Sequence, residues 1–440
     1  MTRFLNMGGR KMNMRRLSKF LFLYLLFLVF WLLPAQSGMA ASKYPGNVKN
    51  LTLKKQSDTS VKLTWTKASN ATGYRVYIIN STTGKKKSVG TTRGTSCVVN
   101  KMEVGREYVF QVYAYRRSGK KVYWSKKGSP MARIKTTLSK PGTIKNFRLV
   151  CYGNNSVFLA WNEAKNTDYY IVYQYNWDTR TYEKIGSTKE NNYQVKKLKE
   201  GEKYYFKVQG YHTASGQEKY GKLSDKVGAR AKKVDVSAVH GRYWSATVKK
   251  NIKATNTTTG KKVTLKKGTK LTTTKKSNDS VTAILKNGKK VELKGSNLSY
   301  GNLSVTKSNY TKAQQEAFVN GKGYSSQTDY LIWVNQYTCT TCIFKGSKGA
   351  WKLVRSMICV VGKDGHSPVG IFKLHHRVTG YGRPKIFYTW SDKYMEGNSF
   401  HSRVDSTTRG AASGGCVRLG DSDLYYLANN CPMGTTVVSY

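Results

Sequence analysis

The sequence predicts a mainly β protein with several domains, on three observations. The chain has 440 residues, more than one ordinary hydrophobic core accommodates. One long segment occurs twice in tandem, and a fixed period of this kind indicates repeated modules. Much of the remaining chain alternates apolar and polar residues between turn signals, as β-strands do.

The tandem repeat has a constant offset. "PGNVKNLTL" and "PGTIKNFRL" begin the two copies, and the tryptophans Trp65 and Trp161 differ by 161 − 65 = 96 residues. A module of this length with a Trp in an early strand suits a sandwich of about seven strands, so we expect both tryptophans in cores. The copies, over 44–137 and 140–232, resemble fibronectin type III modules.

A smaller β unit and a helix are predicted next. Residues 241–303 contain short alternating strands and a hairpin signal at Asn287-Gly288, and they resemble a small bacterial SH3-like barrel. Within 304–328, "TKAQQEAFVNG" has a capping Thr, helix-forming residues and Gly321 as a stop. We expect this segment to be a linker helix.

Residues 329–440 predict a last β-rich domain. "DYLIWVNQY", "CIFKG" and "WKLVRSMICVVG" alternate as strands, and Pro368 and Gly370 interrupt a further strand. "GDSDLYYLANN" predicts a short helix capped by Asp421, and "GTTVVSY" predicts a terminal strand.

The beginning of the chain and its charge predict an exported bacterial protein that meets polyanions. Residues 1–41 have a basic start, the apolar run "FLFLYLLFLVFWLL" and then small residues, which is the pattern of a signal peptide. The run is short for a membrane span of about 20 residues; an uncleaved membrane anchor is the alternative. The net charge of +53 predicts attraction to a polyanion. Because the signal pattern places the chain outside the cytoplasm, we expect anionic cell-wall polymers or the membrane surface rather than nucleic acid. A solvated basic surface without a partner is the other reading.

The cysteines and histidines predict no metal site. Cys339 and Cys342 form a single Cys-x-x-Cys motif, whereas zinc would require a second pair nearby. We expect a turn there, with oxidation of the two thiols to each other as an alternative. His375 and His376 are adjacent in a predicted strand, so they should point to opposite faces. We therefore expect no metal site; the expectation that no cofactor is needed rests only on the family resemblance given below.

The stretch "SFHSRVDSTTRGAASGGCVRL" holds His401 and Cys416, which are 416 − 401 = 15 residues apart. A thiol attacks only as thiolate, and a neighbouring His can take its proton and later return it to a leaving amine. The glycines Gly414 and Gly415 allow consecutive N–H groups to aim at one point, as in an oxyanion hole. Arg418 would share the face of the thiol and hold a carboxylate. A buried structural Cys and an unrelated His are the alternative.

Together with "SPVG" upstream and "PMGTTV" downstream, this stretch resembles the YkuD-type L,D-transpeptidase catalytic domain. The resemblance implies His401 as the base, Cys416 as the acyl-enzyme nucleophile, and the N–H groups of Gly415 and Cys416 as oxyanion donors. It also implies that Ser413 shapes the loop and that Arg418 is the arginine after the nucleophile.

The sequence departs from the family at two positions. Gly414 stands where the family often has His, and Ser402 follows the catalytic His where Gly is common. A hydroxyl at Ser402 would orient the imidazole or simply fit the turn.

The resemblance implies a reaction on peptidoglycan stem peptides. Cys416 would release the terminal D-Ala of a tetrapeptide stem, and an amine of a second stem would resolve the acyl-enzyme as a 3-3 crosslink. Water as the acceptor would give an L,D-carboxypeptidase, and carbapenems would be the best β-lactam acylators. The non-enzymatic alternative is a wall-binding protein whose last domain is inactive. A sortase-like enzyme would need a longer His-to-Cys gap, and a papain-like hydrolase would have Cys before His.

Overall fold

A computed structural model describes residues 42–237, 239–380, 382–389, 397–402 and 409–440. The expected signal peptide, 1–41, lies outside the described residues. Within those residues the fold is mainly β, as predicted. None of the helices in the described part of the chain is both long and apolar enough to cross a membrane.

The first fibronectin-like module is a sandwich of antiparallel sheets. Its sheets follow the orders β1-β2-β5 and β4-β3-β6-β7, with β8 beside β6, where the strands are β1 (Lys49–Ser57), β2 (Ser60–Thr66), β3 (Gly73–Ile79), β4 (Lys86–Thr92), β5 (Ser96–Val99), β6 (Glu107–Ser118), β7 (Lys121–Trp124) and β8 (Ala132–Lys135). Apolar side chains of both sheets enclose Trp65, which is 6% exposed.

The second module repeats this arrangement. Its sheets follow the orders β13-β10-β9 and β12-β11-β14-β15, with β16 beside β14, where the strands are β9 (Arg148–Gly153), β10 (Ser156–Ala160), β11 (Tyr169–Asn176), β12 (Thr181–Thr188), β13 (Asn192–Val195), β14 (Lys203–Ala214), β15 (Gln217–Tyr220) and β16 (Val227–Arg230). Trp161 is 1% exposed, so both tryptophans are core residues, as predicted.

The next unit is an antiparallel sheet that encloses its own apolar core. The strand order is β19-β18-β22-β21-β20-β17-β23, where the strands are β17 (Tyr243–Val248), β18 (Ile252–Asn256), β19 (Lys262–Leu265), β20 (Lys270–Thr273), β21 (Ser280–Leu285), β22 (Lys290–Lys294) and β23 (Leu298–Ser304). The predicted Asn287-Gly288 turn joins β21 to β22, with Gly288 at φ 79°. The SH3-like assignment of this unit stays a prediction.

Helix α1 (Lys312–Lys322) follows. Thr311 and Gln314 form a reciprocal capping box at its start, as the capping Thr predicted. The predicted stop at Gly321 is wrong, because the helix continues through it and ends at Gly323, whose φ of 68° is left-handed.

The last domain is built on a mixed sheet with the order β27-β33-β24-β25-β26-β32-β30-β29-β28 and with β31 beside β26. Its elements are β24 (Tyr330–Asn335), β25 (Thr340–Lys345), β26 (Lys352–Gly362), β27 (Gly370–Lys373), β28 (His376–Gly380), β29 (Arg383–Phe387), β30 (Ser399–Ser402), β31 (Gly410–Ser413), β32 (Val417–Leu419), α2 (Asp421–Asn430) and β33 (Thr436–Ser439). Short 3-10 turns lie at Gly295–Asn297 and Lys363–Gly365. A large apolar core, which includes residues of β26, β30 and β32, fixes the strands that carry the site.

Three local expectations differ from the structure. Asp421 does not cap α2, since the N-cap is Gly420 and Asp421 is the first helical residue. Cys342 lies within β25, while Cys339 is in the turn before it. Both thiols are unoxidised.

The third difference concerns the adjacent histidines. The Nδ1 atoms of His375 and His376 are 2.7 Å apart, so the rings meet instead of pointing to opposite faces. The strand β28 begins only at His376, and strand alternation therefore does not apply to the pair.

Candidate active site

Strands β30 and β32 bring the predicted pair together. They are parallel neighbours, with Phe400 opposite Val417. Both of these residues are fully buried, and this anchors the two strands to the core. Alternation along each strand then places His401 and Cys416 on the other, half-buried face. There the imidazole of His401 lies close enough to the thiol of Cys416 to lower its pKa.

The tautomer of the imidazole is fixed by the main chain. His401 Nδ1 lies 2.9 Å from the carbonyl oxygen of Ser402. A carbonyl only accepts, so Nδ1 carries the hydrogen and Nε2 is left for the thiol. The Ser402 hydroxyl donates to the carboxylate of Asp421, which also pairs with Arg383 at 3.0 Å. The contact that orients the ring is thus the main-chain carbonyl of Ser402, whereas the sequence suggested that the hydroxyl would orient the imidazole or simply fit the turn.

The thiol of Cys416 is poised to ionise near neutral pH. Burial by itself would raise its pKa. Hydrogen bonds from His401 and from the main chain and hydroxyl of Ser399 outweigh burial, and they lower the pKa of Cys416 from 9.0 to about 7. Other cysteines show the opposite effect, because burial raises the pKa of Cys342 to about 11 and that of Cys151 to about 12.

Ser399 is a site residue that the sequence reasoning missed. It is fully buried, and its Oγ lies 3.6 Å from Cys416 Sγ. It precedes His401 by two positions on the same strand, so the period-2 alternation was a usable signal.

Replacement of Ser399 by Ala is expected to raise the pKa of Cys416, because the thiolate loses the hydroxyl while burial stays. The rate of alkylation by iodoacetamide should rise with pH around a midpoint of about 7 in the wild type, and around a higher midpoint in the variant. Peptide mapping identifies the modified cysteine. An identical midpoint in the two proteins would show that the hydroxyl does not stabilise the thiolate.

Ser413 shapes the loop before the nucleophile. It is 1% exposed. Its hydroxyl donates to the carbonyl of Cys416 at 2.5 Å and accepts from the N–H of Gly415 at 3.1 Å. The Gly415 N–H, an expected oxyanion donor, is therefore engaged within the loop, and it can serve an oxyanion only by leaving Ser413.

The two glycines of the loop differ in what they tolerate. Gly415 has φ 134°, and a Cβ there would lie 2.6 Å from Asn398 Nδ2 and 3.0 Å from the carbonyl oxygen of His366. Gly414 is exposed, and a Cβ there would meet no atom within 4 Å. The main chain at position 415 passes so close to Asn398 and His366 that only glycine fits there. Position 414 has room for the His that the family often has.

A second support lies behind the loop. Ser367 is fully buried; its hydroxyl accepts from the N–H of Gly362 and donates to the carbonyl of Gly415, both at 2.8 Å. The guanidinium of Arg242 donates to the carbonyl of Ser367 and to the side-chain oxygen of Gln336. The "SPVG" motif contains Ser367, but nothing in the sequence linked it to a residue as distant as Arg242.

Two polar groups near the nucleophile have no protein partner within the described ranges. Arg418, opposite His401 across the strand pair, has a buried Nε without a hydrogen-bond acceptor. The Tyr388 hydroxyl is likewise unpaired, and burial, with Cys416 and Cys359 nearby, raises its pKa. The buried Nε of Arg418 is thus a donor that no described group uses. Within the described part of the chain, no cluster of His, Cys, Asp and Glu is arranged to hold a metal.

Comparison with protein families agrees with this geometry. Residues 46–130 and 139–225 each match the fibronectin type III domain. Residues 329–438 match the L,D-transpeptidase catalytic domain, YkuD. Both predicted family resemblances are confirmed over these ranges. No curated protein matches the chain.

Solved structures show more distant similarity. A fused Zn-dependent amidase/peptidase/peptidoglycan-binding domain-containing protein from Clostridium acetobutylicum is 26% identical over 29% of this chain and 59% of its own, with a TM-score of 0.25. Bd1075 of Bdellovibrio bacteriovorus is 20% identical over 27% of this chain and 51% of its own, with a TM-score of 0.23. A two-domain fibronectin type III segment of chicken tenascin is 17% identical over 42% of this chain and 99% of its own, with a TM-score of 0.24.

Proposed function

We propose, from the premise that residues 329–438 are an L,D-transpeptidase catalytic domain, that the chain is a peptidoglycan L,D-transpeptidase with Cys416 as its nucleophile. One observation carries the proposal: a half-buried thiol, whose pKa is lowered to about 7, lies beside His401, the ring of which is fixed through Nδ1. Such a pair supplies both the thiolate and a proton donor at neutral pH.

In the first step the Cys416 thiolate attacks the carbonyl carbon of the third residue of a tetrapeptide stem. The C–S bond forms and the peptide C–N bond breaks. His401, protonated by the thiol, gives that proton to the departing amine, so D-Ala leaves and a thioester remains. The unpaired Nε of Arg418 supports a role in holding a carboxylate of the substrate.

In the second step an amine of another stem attacks the thioester. His401 takes the proton of the amine, the C–S bond breaks, and a new amide closes the 3-3 crosslink while the thiolate is regenerated. Water in place of the amine would yield a tripeptide, which is the L,D-carboxypeptidase alternative. The chemistry uses only these side chains and main-chain donors.

Mass spectrometry after incubation with a disaccharide-tetrapeptide tests the proposal. A crosslinked dimer together with released D-Ala is the expected product pattern. Tripeptide alone would change the assignment to the carboxypeptidase, and an unchanged substrate would favour the inactive wall-binding protein.

We further propose that the protein works at the outer face of the cytoplasmic membrane or in the cell wall. The signal pattern of residues 1–41 and the net charge of +53 support this location. Binding to insoluble wall material is expected to weaken steeply with added salt, because exposed charges are screened within about 8 Å at physiological ionic strength. Sedimentation at increasing salt measures this, and salt-independent binding would contradict an electrostatic attraction.

A further inference from the structure

A row of aromatic rings crosses the outer face of one sheet in the second module. Tyr182 of β12 is opposite Tyr175 of β11. On its other edge β11 pairs with β14, where Gln174 is opposite Phe206. Continuing this antiparallel register by one residue places Tyr175 opposite Tyr205. Phe206 is fully buried in the core, and alternation therefore directs Tyr205 outward.

Trp177 completes this aromatic row, which we define as Tyr175, Trp177, Tyr182 and Tyr205. The indole is 60% exposed. Its ring centroid lies 5.0 Å from that of Tyr175 and 5.9 Å from that of Tyr205. An indole held at the surface by other rings contributes little to the core and leaves apolar area in water, and contiguous exposed patches of this kind often mark binding sites.

Lysines surround the aromatic row. The ammonium groups of Lys203 and Lys226 lie 5.1 and 5.2 Å from the ring centroid of Tyr205, and that of Lys207 lies 4.7 Å from the centroid of Tyr182. Within the described residues, none of the ion pairs uses these lysines. The face thus combines ring surfaces with cations that lack a carboxylate partner.

Acidic residues also border the face, and at least one of them is already engaged. Asp178, Glu183 and Asp225 line the adjoining depressions. Glu183 accepts hydrogen bonds from Asn176 and Thr179, both at 2.9 Å. The face therefore offers hydrogen-bond acceptors as well as cations around its rings, an arrangement that suits hydroxyl-rich ligands.

The first module shows that the fold does not require this row. At the offset of 96 residues, none of the four positions is aromatic in the first module. Tyr175, Tyr182, Tyr205 and Trp177 correspond there to Ile79, Lys86, Val109 and Ser81, respectively. The strand register is the same in the first module, with Ile79 opposite both Lys86 and Val109. The same sandwich thus forms without an aromatic surface.

We propose that the aromatic row is a binding site for the glycan strand of peptidoglycan. The C–H faces of pyranose rings would stack on the exposed indole and on the half-buried phenol rings beside it, and the lysines would bind carboxylates of the attached stem peptides. The identity of this ligand rests on the proposed function, because the catalytic domain of the same chain acts on those stem peptides. Binding at a second site would raise the effective concentration of stems at the thiol.

The test measures binding of the full chain to peptidoglycan sacculi freed of phosphodiester polymers, with Cys416→Ala as the background to prevent turnover. Adding Trp177→Ala is expected to weaken binding at least about tenfold, and Trp177→Phe should retain most of it. Ser81→Ala, at the matched position of the first module, should change nothing. Circular dichroism checks that the variants are folded. We expect no change in the spectrum, because the exposed indole of Trp177 contributes little to the core.

The other outcomes would contradict either the binding site at the aromatic row or the identity of its ligand. Equal binding with and without Trp177 overturns the site. Binding that disappears with the phosphodiester polymers assigns the row to those polymers, and displacement by oligothymidine at equal concentration assigns it to nucleic acid, since bases also stack on aromatic rings. If the native chain releases no D-Ala from a soluble tetrapeptide but Trp177-dependent sacculus binding persists, the proposed function fails and the site stands.

Discussion

Cys416→Ala is expected to abolish release of D-Ala from a tetrapeptide stem, with a rate at least about 10⁴-fold below that of the wild type. In the proposed mechanism the thiolate forms the bond that replaces the scissile amide, and that bond cannot form without the sulfur. Stability should change by less than about 1 kcal/mol, because a half-buried residue loses only one atom. Liquid chromatography of released D-Ala and thermal unfolding measure the two quantities.

Cys97→Ala is the matched control for this variant. Cys97 is also half-buried, lies in the first module, and has a pKa raised by burial. Its replacement should leave D-Ala release unchanged. A large drop in unfolding temperature for Cys416→Ala would instead make Cys416 a structural residue, and retained activity would place the nucleophile elsewhere.

The parts of the fold that the sequence predicted well rest on local periodicity. The constant offset between the two copies, seen at Trp65 and Trp161, identified both sandwiches. A repeat of this kind can be recognised in the sequence without any knowledge of the tertiary contacts. The pairing of His401 with Cys416 could also be predicted from the sequence, because one short stretch holds a single His and a single Cys that follows two glycines. The parallel β30–β32 pair then places them on one face.

The supports of the site could not be read from sequence because they come from distant segments. Ser367 holds the loop through the carbonyl of Gly415, and Arg242 holds Ser367 from more than a hundred residues upstream. The lowered pKa of Cys416 likewise depends on Ser399 as well as on His401, which together outweigh burial. Spacing alone gives no measure of burial, so it could not predict the sign of this shift.

The helix ends were misplaced for energetic reasons. An interior Gly costs about 1 kcal/mol relative to Ala, which made Gly321 a plausible stop. The helix nevertheless continues through it, since Phe318 packs on Trp333 at a centroid distance of 5.1 Å and Gly323 supplies the left-handed residue. Asp421 resembled an N-cap, but its carboxylate is bound to Ser402 and Arg383.

His401→Ala is expected to reduce D-Ala release by a factor similar to that of Cys416→Ala, because the thiolate and its proton carrier act as one unit. The variant loses the hydrogen bond that offsets burial, so the pKa of Cys416 should rise above the usual value of about 8.5. The fraction of thiolate is greatest above the pKa and falls as the pH drops through it. The variant should therefore alkylate slowly at pH 7 and recover at higher pH.

Recovery of alkylation at high pH separates loss of the base from collapse of the loop. A damaged loop would leave Cys416 unreactive at every pH, whereas a missing base leaves a buried but intact thiol. His375→Ala serves as the control, since that ring lies at the edge of β28 and bonds to Thr389 and His376 rather than to the thiol. If His401→Ala kept the wild-type rate and the wild-type midpoint, Cys416 would not be activated by the imidazole. The low pKa would then have to come from Ser399 alone, the other side chain that donates to the sulfur.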